Sequence, residues 1–111
     1  AVDDAVAALV SIGYAEKVAL HERLCMRIPP ALSWENAGAT PEAFLTAYDA
    51  LFRRGSLSAG ELVLLQAAGS GVGTAAAQLA LVAGSRVVGL SRSADKRRRL
   101  RELGLQQVFD Q

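Results

Sequence analysis

Cysteine, histidine, methionine and tryptophan each occur once in these 111 residues, and proline three times. A single thiol, Cys25, excludes an internal disulfide, and one cysteine with one histidine (His21) cannot supply the three protein ligands of a catalytic zinc. No metal site is expected. No apolar run reaches the roughly 18–20 residues needed to cross a bilayer, and the start, Ala1-Val2-Asp3-Asp4, lacks the basic segment of a secretory signal. Net charge is nearly absent, at +1, which excludes a basic arm wrapped around nucleic acid. These absences describe a soluble protein of a reducing, cytoplasmic compartment with neither membrane nor nucleic acid as partner. What is present fits: 51% of residues are hydrophobic and 21% charged, a balance that argues against disorder. The length is that of one domain. With no initiating methionine and no helix after Phe109-Asp110-Gln111, the chain reads as a stretch of a longer polypeptide.

Charge is unevenly spread. From Arg86 onward seven basic residues face three acids, whereas the first 85 residues carry five basic and eight acidic ones. A basic cluster on a near-neutral chain points to a local anion site. Composition then marks three zones. Residues 1–32 hold short apolar runs, Ala5–Val10, Ala15–Leu20 and Leu24–Ile28, separated by turn residues and expected as strands of a small β unit. Residues 33–55 are helical in pattern. Ser33 caps a short stretch; Thr40-Pro41-Glu42 then reads as N-cap, first-turn proline and N-terminal acid of a second helix. Behind it Phe44, Leu45, Tyr48, Leu51 and Phe52 recur at helical spacing before Gly55.

Residues 56–111 are the informative zone. Leu62–Leu65 is a continuous apolar run, as in a parallel strand covered on both faces. The turn Gly69-Ser70-Gly71-Val72-Gly73 follows, then an alanine-rich helix from Thr74 to Ala83, a second strand Val87–Leu90, a second helix from about Ser93 to Leu103 and the start of a third strand at Val108-Phe109. Gly84 and Gly104 end the two helices. This order predicts an α/β fold: a partial, Rossmann-type parallel sheet of about three strands with its crossover helices.

A strand running through glycines into a helix aims free backbone N–H groups and the positive end of the helix dipole at one spot, where a phosphate is stabilised. The alternative is a tight turn without ligand; strand, helix, strand, helix and strand in succession favour the phosphate. The lysine of a mononucleotide loop is missing, since Thr74-Ala75 follow Gly73. The turn also departs from G-x-G-x-x-G, with Ala68 and Ser70 at the first two glycine positions. An NAD site keeps an acid at the end of the second strand to hold the ribose 2′-OH. Here that stretch is Gly89-Leu90-Ser91-Arg92-Ser93, with no carboxylate. Ser91, Arg92, Ser93 and Lys96 instead suit a 2′-phosphate, so the expected cofactor is NADP(H). The remainder of the run to Arg101 reads as a solvated helix face. Cys25 is expected as a buried inert thiol, His21 at the surface, and Tyr14, Trp34 and Tyr48 as packing residues.

With these residues in hand, the chain resembles the medium-chain dehydrogenase/reductase superfamily, and within it the zinc-independent quinone oxidoreductases related to zeta-crystallin. The resemblance rests on Gly13-Tyr14-Ala15-Glu16, Ile28-Pro29-Pro30-Ala31-Leu32-Ser33, Pro41-Glu42-Ala43-Phe44-Leu45-Thr46-Ala47-Tyr48, Gly60-Glu61, Ser70-Gly71-Val72-Gly73 and Gln78-Leu79-Ala80. It departs at Asp110-Gln111, where the family often has a tyrosine, and at Ala37-Gly38-Ala39-Thr40, where its zinc enzymes carry a ligand cysteine.

The resemblance implies a GroES-like β barrel, of which residues 1–32 would be the last strands, joined by helices over 33–55 to the N-terminal half of a Rossmann domain, residues 56–111. It places Thr46 near the nicotinamide, Ser70, Gly71, Val72 and Gly73 at the pyrophosphate, and Ser93 and Lys96 at the 2′-phosphate. It implies an NADPH-dependent enzyme, a homodimer in its full-length form, that passes hydride to a small quinone or α,β-unsaturated carbonyl, with this stretch alone inactive. No catalytic acid or base can be named among these residues. Two alternatives stay open: the enoyl-reductase module of a multifunctional synthase, and a non-catalytic NADPH-binding or interaction module.

Overall fold

The computed structural model describes residues 3–111, so the first two residues of the expected 1–32 segment lie outside it. Two compact units are present, Ala1–Glu42 and Ala43–Gln111. In the first, β1 (Val6–Ala7) pairs antiparallel with β2 (Met26–Arg27), Val6 opposite Arg27 and Ala7 opposite Met26. The Ile28 N–H extends the ladder to the Ala5 carbonyl at 2.9 Å. Two of the three expected strands thus exist, each only two residues long. The Ala15–Leu20 run forms none: alanines are weak strand formers, and the adjacent Glu16-Lys17 breaks the alternation that would bury one face. Ahead of β2 lies one 3₁₀ turn, Glu22–Leu24, capped by His21, whose Nδ1 accepts the Arg23 N–H at 3.2 Å. Cys25 is half-buried, less enclosed than expected. Tyr14 and Trp34 are exposed, the latter by 69%, so neither is a packing residue within this chain.

Helix α1 (Trp34–Tyr48) starts at Ser33, whose hydroxyl accepts the Asn36 N–H. It runs unbroken through Pro41, which corrects the expected second N-cap at Thr40. The Thr40 hydroxyl turns back along the helix and donates to the Asn36 carbonyl at 2.7 Å, the i−4 bonding open to a mid-helix threonine. A π-helical turn, Asp49–Arg54, prolongs the helix to Gly55. The Tyr48 and Phe52 rings meet at 5.0 Å between centroids.

The second unit contains the sheet. β3 (Leu62–Leu65), β4 (Arg86–Leu90) and β5 (Gln107–Phe109) lie in that order, all parallel, with Leu62 beside Arg86 and Val88 beside Gln107. Helices α2 (Gly71–Val82) and α3 (Ala94–Glu102) form the two crossovers. Gly84 (φ +79°) and Gly104 (φ +105°) end them, in a left-handed conformation costly for any residue with a Cβ. The alanines of α2 are explained by what it touches. Ala77 and Ala80 join Ala68, Val87, Leu100, Leu105 and Val108 in the main core. Ala75 and Ala76 pack with Ala47 and Phe44. A helix pressed on two sides has room for little more than methyl groups. The expected parallel α/β arrangement is therefore present. One detail differs: Leu62 and Leu64 are 58% and 59% exposed, so β3 is covered on one face only among the described residues.

Candidate functional site

The carboxyl end of β3 leads into a strained turn. Ala67 takes φ +48°, a left-handed conformation that a non-glycine residue rarely adopts. The Ser70 N–H donates to the Ala67 carbonyl at 2.9 Å, while the Ala68 N–H reaches the Leu90 carbonyl at 2.9 Å and ties the turn to β4. The helix then begins at Gly71, three residues before the expected Thr74. Ser70 is the N-cap, its Oγ accepting the Gly73 N–H at 3.0 Å. The amides of Gly71 and Val72 open the helix, where no preceding turn offers a carbonyl. A Cβ on Gly73 would lie 2.6 Å from the Ala67 oxygen and 2.7 Å from the Ala68 oxygen, whereas one on Gly71 would meet nothing within 4 Å. Gly73 is therefore the contact glycine of helix and strand, and Gly71 faces open space.

The carboxyl end of β4 builds the facing wall. Ser93 caps α3, its Oγ accepting the Lys96 N–H at 3.3 Å. Ser70 and Ser93 line the same cleft of about 280 Å³, together with Ala67, Gly69, Ser91, Arg92, Lys96 and Gln111. The structure thus brings together Ser70, Ser91, Arg92, Ser93 and Lys96. Gly71 and Val72 follow in the first turn of α2. Thr46 lies exposed on α1, beside the fully buried Ala47, and does not line the cleft.

Electrostatics distinguish this cleft. The N-termini of two helices converge on it, and none of the eight residues lining it is acidic. On α3 the arginines are engaged elsewhere. Arg98 and Arg99 pair with Asp95, and Arg98 also with Glu102; the Arg98 hydrogen bond, with Arg99 adding to it, holds the Asp95 carboxyl below the usual range. Arg101 donates to the Val108 carbonyl at 3.0 Å. Among the described residues neither Arg92 nor Lys96 has a carboxylate partner. The stem of Lys96 lies on Gly69, where a Cβ would come within 2.7 Å of Lys96 Cδ. The arrangement can hold an anion of more than one charge, with amides and hydroxyls on one wall and two free cations on the other.

Sequence reasoning missed Arg97, which it assigned to a solvated face. Its side chain is 19% exposed and folds over the ends of β4 and β5, donating to the Ser91 carbonyl at 2.6 Å and pairing with Asp110 at 3.0 Å. Its spacing of three from the buried Leu100 is the signal that sets it on the inward face; the position of β5 reveals what it meets.

No protein-family model matches the chain. It is similar to the quinone oxidoreductase of Thermus thermophilus, whose structures include a complex with NADPH: identity is 40%, the TM-score is 0.86, and the match covers 95% of this chain and 36% of that one. The CurK enoyl reductase superposes with a TM-score of 0.74 at 34% identity, over 79% of this chain and 26% of that one. Among curated proteins, the highly reducing polyketide synthase Dhc3 of Alternaria cinerariae is 43% identical over 84 residues, 76% of this chain. The chain spans only 4% of that synthase. In sequence and in fold, the chain belongs to the medium-chain dehydrogenase/reductase superfamily, among its quinone oxidoreductase and enoyl reductase domains.

Proposed function

We propose that this chain is the cofactor-holding part of an NADPH-dependent oxidoreductase that reduces an electron-poor double bond in a quinone or an α,β-unsaturated carbonyl. The observation that carries the reading is the acid-free cleft, in which two capped helix N-termini face Arg92 and Lys96. The amides of Gly71 and Val72 and the Ser70 hydroxyl hold the pyrophosphate. The Ser70 oxygen already accepts from Gly73, so its proton is the part that reaches outward. Gly73 contributes closeness, letting α2 approach β3. Ser91, Arg92, Ser93 and Lys96 hold the 2′-phosphate, and Thr46 lies near the nicotinamide. NADPH when bound supplies the hydride; the residues here orient it and set its preference over NADH. On the same reading residues 1–32 are the last strands of a barrel, and the whole enzyme is a zinc-independent, cytoplasmic homodimer.

A second reading is favoured by the curated relatives, since Dhc3 and GfsB of Streptomyces halstedii are polyketide synthases. It makes the enzyme an enoyl-reductase module and its substrate a thioester-bound enoyl chain. Oxidation of NADPH in the presence of a simple quinone, compared with an enoyl thioester, separates the two.

The cofactor assignment is tested by Arg92→Ala and Lys96→Ala, with nicotinamide fluorescence as the readout. Each substitution is expected to weaken NADPH binding about tenfold, the worth of one charge-assisted hydrogen bond, and to leave NADH binding nearly unchanged. Equal losses for the two cofactors would overturn the assignment.

A further inference from the structure

The geometry points to Arg97 as a positioning residue that sets cofactor preference without itself lining the cleft, an inference that rests on the NADPH reading above. Ser91 and Gln111 stand on adjacent walls of the cleft, at the ends of β4 and β5. The two strand ends are linked by the Ser91 N–H donating to the Phe109 carbonyl at 3.1 Å. The Arg97 guanidinium adds a second link, from the Ser91 carbonyl to the Asp110 carboxylate. It is the most enclosed of the ion-paired arginines, 19% exposed against 66% and 71% for Arg98 and Arg99.

Two consequences follow. First, the Ser91 carbonyl is pulled toward α3, which fixes the direction in which Ser91-Arg92-Ser93 leaves the strand and hence where the Arg92 side chain starts. Second, Asp110 is next in sequence to the cleft residue Gln111, and its Oδ1 also accepts the Gln111 N–H at 2.9 Å. Left unpaired, it would repel a doubly charged phosphate at the mouth of the cleft while leaving a 2′-hydroxyl little affected. Arg97 thus neutralises an acid beside the cleft whose field opposes a 2′-phosphate, as Arg98 and Arg99 do for Asp95 on α3.

The test measures the affinity of the protein for 2′,5′-ADP and for 5′-AMP by calorimetry, in wild type, Arg97→Gln, Asp110→Asn and the double variant. Arg97→Gln is expected to weaken 2′,5′-ADP about fivefold to tenfold, as an uncompensated like charge does near a solvated phosphate, with 5′-AMP changed less than about twofold. The double variant, with the carboxylate gone, is expected to recover most of the loss. A structural role alone would lower both affinities together, and that result would overturn the inference, as would a double variant no better than Arg97→Gln. Should Arg97→Gln not fold, Asp110→Asn decides: it keeps the packed guanidinium and should tighten 2′,5′-ADP selectively, and unchanged affinity would refute the role. Wild-type protein that binds 2′,5′-ADP no better than 5′-AMP would instead refute the NADPH reading itself.

Discussion

A methyl group on Gly73 would sit against two carbonyl oxygens at the end of β3, whereas the same methyl on Gly71 would project into open space. The two glycines are therefore separable by experiment. Gly73→Ala is expected to destabilise the chain by about 1–3 kcal/mol from overpacking against backbone, more than the roughly 1 kcal/mol that alanine returns through helix propensity. Gly71→Ala is expected to leave urea-unfolding stability unchanged or slightly raised, yet to weaken NADPH and NADH alike, because the added carbon occupies the space a pyrophosphate needs. Retained affinity in a stable Gly71→Ala protein would leave that turn without a ligand role. At this scale the sequence is legible where spacing alone constrains the backbone: Gly84 and Gly104 as helix stops, and Arg92 and Lys96 beside a strand end, whereas the close contact at Gly73 emerges only from the structure. The sequence is silent where a side chain answers to a partner far along the chain. Arg97 meets Asp110 across 13 residues of sequence; its spacing of three from Leu100 puts it on the inward face of α3 but does not name that partner, while Arg98 and Arg99 stay on the surface with Asp95.

The elements repeat that division. The β-α-β-α-β order of residues 62–109 is readable because glycines separate its apolar runs and follow each helix, although the Ser70 cap starts α2 three residues before the expected Thr74. Residues 33–55 mislead because Pro41 imitates a helix start, while Thr40 bonds back to Asn36 and the helix continues. The Ala15–Leu20 run misleads because Glu16-Lys17 interrupts its apolar residues and no alternating face is left. Helix α3 supports a prediction of its own. Hydrogen bonding from Arg98, then the charge of Arg99, lowers the Asp95 carboxyl below its ordinary value. A carboxyl depressed in the folded chain stabilises the fold above its unfolded-state value, and that contribution disappears as pH falls through its folded value. Asp95→Asn should therefore melt below wild type at neutral pH, and the two should converge only once pH falls below the depressed folded-state value, where both carry a neutral side chain. The gap is small, since the group is solvent-exposed. A gap that persists undiminished in acid would mean that Asp95 acts through packing rather than charge.

Over the whole molecule, the uneven charge of the sequence has a counterpart: most of the basic excess from Arg86 onward falls on α3 and the carboxyl end of β4, and Arg92 and Lys96 of it border the cleft. The apolar strand β3 has a less direct one. Its composition suits burial on both faces, yet among the described residues it lies at the margin of the sheet and pairs only with β4. Leu62 and Leu64, two residues apart and so on one face, are each more than half exposed. A strand with one open edge and an apolar face is a template for a further strand, and exposed apolar surface of this kind promotes association at micromolar to millimolar concentration. The 111-residue chain on its own is thus expected to sediment with an apparent mass that rises with concentration. Leu64→Lys should suppress the rise, because a lysine on that face places a charge where a second strand or apolar surface would settle, while Val63 and Leu65, turned toward the main core, keep the sheet on its helices. Sedimentation as a monomer at every concentration, with Leu64→Lys indistinguishable from wild type, would show that the open margin of β3 is not sticky and that its leucines tolerate water as they stand.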